Sequence, residues 1–116
     1  MRDTIKKHID FAITDQDLNA RSVYFFVRAK PVKHPDNPKY GIVATKRTFR
    51  HAVDRNRAKR LLRDWIRFNE WRMCDDMDYI FIARHPILIA KRTDGRVAMR
   101  KALHYIKKTH NAEHQQ

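Results

Sequence analysis

With 116 residues, 42% of them apolar, the chain has room for one modest hydrophobic core and is too apolar to stay disordered. Its net charge of +13 weakens any compact state by self-repulsion and points to a polyanionic partner, with nucleic acid the leading class at a pI of about 10.4. The single cysteine, Cys74, excludes an intrachain disulfide and a thiolate metal cluster. No apolar run approaches the roughly 18–20 residues of a membrane span. The N-terminus has no signal-peptide core. A reducing, cytoplasmic setting is therefore expected, with no membrane partner.

Residues 1–20 are net acidic; the basic surplus lies in 21–72 and 91–116. Ile5, Ile9, Ala12 and Ile13 stand at helical spacing and predict a short helix over 3–12. Asp15, Asp17 and Asn19 read as a turn, with room for a fourth strand within 10–20. Residues 22–30 (S-V-Y-F-F-V-R-A-K) form the clearest strand. Alternation puts Val23, Phe25, Val27 and Ala29 on one face and Tyr24, Phe26 and Arg28 on the other. Flat rings beside a cation suit the stacking of unpaired bases; equally, that face could be a second buried one from which Arg28 snorkels. Three prolines make 31–38 a loop. Residues 40–45 (Y-G-I-V-A-T) are a second strand, expected antiparallel to the first.

Residues 52–67 (A-V-D-R-N-R-A-K-R-L-L-R-D-W-I-R) wind into a helix with two faces. Ala58, Leu61, Leu62, Trp65, Phe68 and Asn69 centre on one, with Ile66 at its edge. Asn56, Lys59, Arg60, Arg63 and Arg67 centre on the other, flanked by Arg55 and Arg57. Lys46, Arg47 and Arg50 lead into it, and Thr48 is the candidate N-cap, with Asp54 a later possibility. A membrane-surface helix, a DNA-recognition helix and a solvated charged face are the alternatives to an RNA-binding one. The helix is flanked by strands, lacks the preceding helix of a helix-turn-helix, and holds no acid on its positive arc.

Residues 73–77 read as an acidic linker and 78–83 (D-Y-I-F-I-A) as a third strand, parallel to a neighbour. A last helix is expected over 95–108, with Met99, Ala102, Leu103 and Ile106 as its buried stripe and the tail from His110 frayed. The expected class is α+β, an α/β sandwich in which helices pack on a small mixed sheet, in one domain folded over about residues 20–108.

No catalytic constellation stands out. The histidines are read as forming no metal-ligand spacing such as H-x-x-x-H or H-E-x-x-H, Ser22 lies in a strand, and two glycines cannot make a phosphate loop. Asp75, Asp76 and Asp78 could pair on Mg²⁺ or form a solvated turn, the turn being favoured. The residues alone describe an RNA-binding module, without catalytic or metal-ligating residues of its own.

The run Arg55-Asn56-Arg57 within 52–67 closely resembles the R-N-R signature of the bacterial ribonuclease P protein subunit. The segment 41–47 (G-I-V-A-T-K-R) looks like that family's strand ending in a basic pair. The segment 78–86 (D-Y-I-F-I-A-R-H-P) looks like its last strand and exit. The resemblance covers 21 to about 108. It implies a ribosomal-protein-S5-domain-2-like fold with a left-handed βαβ crossover, where physics alone favours the right-handed form in about 98% of cases. It implies an endoribonuclease working as a ribonucleoprotein. The RNA subunit catalyses removal of the 5′ leader of precursor tRNA with Mg²⁺ that it mainly binds itself; the protein binds that RNA and the leader. Carried over, Lys46, Arg47, Arg50, Arg55, Asn56, Arg57, Lys59, Arg60, Arg63 and Arg67 would contact the catalytic RNA. Tyr24, Phe26, Arg28, Arg84, His85 and Phe11 would contact the leader. DNA is not an expected partner, and the oligomeric state is left open. The family's N-terminal segment is basic and phenylalanine-rich; here it is acidic, with Phe11 alone. The rival function is a structural RNA-binding protein of ribosomal type.

Overall fold

The computed structural model describes residues 3–4, 18–31 and 39–114. The strands are β1 (Asp3–Thr4), β2 (Leu18–Arg21), β3 (Phe25–Pro31), β4 (Lys39–Val43) and β5 (Met77–Ala83). The helices are α1 (Ala52–Asn69) and α2 (Arg92–His114), and 3₁₀ turns cover Glu70–Arg72 and His85–Ile89. The sheet runs β1-β4-β5-β3-β2. β4 is parallel to β1 and β5; β3 is antiparallel to β5 and β2. This is the expected α+β class.

Strand alternation decides which face the helices cover. Phe25, Val27 and Ala29 of β3 stand opposite Ala83, Phe81 and Tyr79 of β5, and all are buried. Tyr40 and Ile42 continue this face across β4, Leu18 and Ala20 across β2. Against it pack Ala58, Leu62, Trp65 and Ile66 of α1 and Met99, Ala102, Leu103 and Ile106 of α2. The predicted stripe of α2 is thus the observed one. Phe68, placed on the apolar stripe of α1 by its spacing, is instead 57% exposed. The buried residues centre the seam between Ala58, Leu62, Trp65 and Asn69, and Phe68 lies about 100° of helix rotation to one side.

The backbone bonds fix the handedness of the β4–α1–β5 connection. The Arg84 N–H donates to the Tyr24 carbonyl, next in register after Phe25 and Ala83. Residues 82 and 80, in phase with Arg84, therefore turn their backbone groups toward β3. Tyr79 and Phe81, whose side chains face the helices, turn theirs toward β4. In an L-residue whose side chain faces the viewer on an upward strand, N–H and C=O point right. Seen from the helices, β4 lies to the right of β5, and the crossover is left-handed.

Several sequence expectations are corrected. The second predicted strand is not paired with the first, because β5 inserts between β3 and β4. Asp3–Thr4 is a strand beside β4, not the start of a helix; the remainder of the helix expected over 3–12 lies outside the described residues. Asn19, read as turn, sits in β2, where it pairs with Arg28. Helix α1 begins at Ala52 after His51, without a side-chain cap. Thr48 does not cap it, since the Thr48 N–H donates to Thr45 Oγ1 (3.2 Å) in the preceding turn.

The C-terminal segment 109–114, expected to fray, continues α2. His110 anchors it: its Nε2 lies 2.7 Å from Asp76 Oδ2 in the turn before β5. His110 and His114 stand four residues apart in the sequence, so the reading that no H-x-x-x-H spacing occurs is corrected.

Helices α1 and α2 meet at Gly95. A Cβ there would overlap Cε2, Cζ2 and Nε1 of the Trp65 indole, so only glycine allows this approach. Asn69 Nδ2 donates to the carbonyls of Trp65 (3.0 Å) and Arg96 (3.2 Å). Arg96 also bonds Asp64 through two nitrogens.

Candidate nucleic-acid interface

The turn between β4 and α1 displays its cations by burying one ring. The Phe49 N–H donates to the Thr45 carbonyl (2.9 Å), and Phe49 is buried. Lys46, Arg47 and Arg50 are left exposed. Arg55 folds back from α1 and donates through Nη1 to the carbonyls of Phe49 (2.9 Å) and Arg50 (3.2 Å). Its guanidinium holds the turn against the helix, so Arg55 positions its neighbours more than it offers charge.

Asn56, Arg57, Arg60, Arg63 and Arg67 stand exposed along α1, and Lys59 is half-buried. The ion pairs Arg96–Asp64 and His110–Asp76 draw on none of these cations. A ridge of uncompensated charge raises the local potential and attracts a polyanion.

The sheet face away from the helices carries Asn19, Arg21, Phe26, Arg28 and Ile82 around a cleft of about 290 Å³. Two guanidinium groups approach the Phe26 ring, Arg84 at 4.9 Å and Arg21 at 5.5 Å from its centroid. Arg84 is fixed by its Nη1 bond to the Ser22 carbonyl (3.0 Å). Arg28 Nε donates to Asn19 Oδ1 (3.0 Å). One residue further, the exposed His85 stacks on Phe49 at 5.9 Å with planes 13° apart. Arg84 and His85 therefore join the sheet cleft to the cationic turn.

Tyr24 does not share this face. Its ring packs 5.8 Å from Trp65, on the helix side. Ser22 Oγ accepts from the N–H groups of Tyr24 and Phe25 (both 3.1 Å), forming a turn. β3 thus starts only at Phe25, and alternation cannot be extended back to Tyr24. Phe11 lies outside the described residues.

No group of three His, Cys, Asp or Glu residues among the described ones is arranged to hold a metal ion. Asp78 is buried and accepts from the Lys39 N–H (2.7 Å), while Asp76 holds His110. The three carboxylates read as a possible Mg²⁺ pair thus include two with structural work.

The Ribonuclease P family model matches residues 2–107. The chain belongs to the ribonuclease P protein family. It is 32% identical over 89 residues to the ribonuclease P protein component of Chromobacterium violaceum, covering 77% of this chain and 69% of that one. It is 36% identical over 67 residues to that of a Marinomonas species, covering 58% of this chain but only half (50%) of the relative's length. The structure of the Staphylococcus aureus RNase P protein is similar in fold, with a TM-score of 0.70 at 24% identity over 90% of this chain and 94% of that one.

Within this family member, sequence reasoning missed Arg21 and Asn19 as cleft residues. The signal was the short alternation Leu18 and Ala20 in, Asn19 and Arg21 out, hidden by two preceding aspartates that read as a turn. No described helix is long and apolar enough to cross a membrane.

Proposed function

We infer that this chain is the protein subunit of a ribonuclease P ribonucleoprotein and assists endonucleolytic removal of the 5′ leader of precursor tRNA in the cytoplasm. The observation that carries this reading is the continuity of two surfaces through Arg84 and His85. The cationic ridge of Lys46, Arg47, Arg50, Asn56, Arg57, Lys59, Arg60, Arg63 and Arg67 takes the catalytic RNA. The cleft of Arg21, Phe26, Arg28 and Arg84 takes the single-stranded leader, with His85 at the junction. Phosphates pair with the guanidinium groups, releasing counterions, and a leader base stacks on Phe26. The protein moves no proton. On this reading Mg²⁺ is bound mainly by the RNA subunit.

Adding the protein to a bacterial ribonuclease P RNA at low Mg²⁺ should stimulate 5′ cleavage of precursor tRNA. Binding without stimulation would favour a structural RNA-binding role. Phe26→Ala should weaken binding of precursor tRNA by about 1–3 kcal/mol while leaving mature tRNA unaffected. Equal losses for both RNAs would remove Phe26 from the leader site.

A further inference from the structure

His85 stands where the sheet cleft meets the cationic turn, and its backbone is fixed on both sides. Before it, the Arg84 N–H donates to the Tyr24 carbonyl (2.9 Å). After it, Pro86 lies in the first turn of the 3₁₀ segment His85–Ile89, the Ile87 N–H donates to the Arg84 carbonyl (3.0 Å), and Ile87 is fully buried. What this leaves free is the imidazole, since His85 is exposed. An exposed side chain divides its time among staggered rotamers, and binding in one of them gives up the others.

One contact restricts that ring. The Phe49 ring stacks on the imidazole, with centroids 5.9 Å apart and planes 13° from parallel, within the range of offset stacking. Phe49 is itself firmly held. It is 1% exposed, its N–H donates to the Thr45 carbonyl, and its own carbonyl accepts from Arg55 Nη1. Being buried, it touches neither the catalytic RNA nor the leader. The geometry points to Phe49 as a positioning residue: from the turn that carries Lys46, Arg47 and Arg50, it fixes the plane of His85 so that the imidazole meets the leader already ordered. This rests on the reading of the cleft and its rim as the leader site. The stack separates this role from a merely apolar one. A leucine at 49 would keep the burial and both backbone bonds, yet offer the imidazole no flat face.

The test uses the ribonucleoprotein reconstituted with a bacterial ribonuclease P RNA. It reads leader discrimination as the ratio of the dissociation constants for mature and precursor tRNA. Phe49→Leu should lower this ratio about three-fold, through the rotamers that His85 regains, with affinity for the catalytic RNA unchanged. His85→Ala should lower it about five-fold, and the double variant no further than His85→Ala alone, because Phe49 acts through the imidazole. A ratio unchanged by Phe49→Leu, or losses that multiply in the double variant, overturns the assignment. The parent protein supplies a reading that needs no variant. With both imidazoles neutral, the ring current of Phe49 should place the His85 ring protons upfield of those of the exposed His51 in the NMR spectrum. Equal positions would mean that no stack forms in solution, which also overturns it. Failure of the leader reading looks different: Phe26→Ala and His85→Ala would both leave the ratio intact, removing the site that Phe49 is assigned to serve.

Discussion

Gly95→Ala is expected to destabilise the protein by about 2 kcal/mol, lowering its melting temperature by roughly 8 °C. Two effects oppose each other. Alanine is the better helix former by about 1 kcal/mol, and Gly95 lies inside α2. The added methyl group, however, would overlap three atoms of the Trp65 indole, itself fully buried between α1, α2 and the sheet. Overpacking of this kind costs about 1–3 kcal/mol, and direct overlap with a ring belongs at or beyond the upper end. The overlapped atoms lie beyond the δ positions of the indole, where a leucine side chain has no atoms, which gives an internal control. In a Trp65→Leu background, Gly95→Ala should be neutral or mildly stabilising. Trp65 Nε1 is buried without a hydrogen-bond partner, so losing it removes no bond. Thermal melts of the four proteins settle the matter. An equal cost of Gly95→Ala in both backgrounds would mean the close approach is not what demands glycine.

Arg60→Ala combined with Arg63→Ala should weaken binding of ribonuclease P RNA about 50-fold at 0.1 M salt and make the salt slope shallower by about two. Both side chains are exposed on α1 and neither is in an ion pair among the described residues. Their removal should therefore leave the melting temperature within about 2 °C, since surface changes away from packed features are small. Arg55→Ala makes a useful contrast. Its guanidinium is bound to two carbonyls, so the loss should appear in stability and in the order of the turn, with less change in salt slope. An unchanged slope for the double variant would move the RNA contact off this ridge.

Where one physical rule dominates, the chain was legible. The stripe Met99, Ala102, Leu103 and Ile106 and the two-faced character of α1 follow from helical period alone, and burial bears them out. The inward residues Phe25, Val27 and Ala29 of β3 follow from alternation, whereas Val23, placed with them, precedes the strand and is exposed. What failed depended on contacts distant in sequence. Tyr24 was misplaced because Ser22 Oγ captures two amides and shortens the strand. The end of α2 was misjudged because His110 is polar and its partner, Asp76, lies 34 residues away. Phe68 was misplaced because a stripe of six residues is broader than the seam that α1 presents. The cleft around Phe26 was half legible. Arg28 and Arg84 could be assigned to it, but Arg21 needed the antiparallel register of β2, where it stands opposite Phe26.

The left-handed crossover also bears on the order in which the molecule can be made. β5 is the last strand in sequence yet lies at the centre of the sheet, between β3 and β4. Until Ala83 has left the ribosome, both of those strands carry a bare hydrogen-bonding edge, and Phe25, Val27 and Tyr40 lack their partners on β5. The nascent chain therefore cannot build this sheet outward from an N-terminal hairpin. It must hold two incomplete edges and close them with one late, non-local insertion, which places sheet completion among the slow and aggregation-exposed steps of folding. Meanwhile α1 emerges ahead of β5, with its cations already displayed and its apolar seam still uncovered.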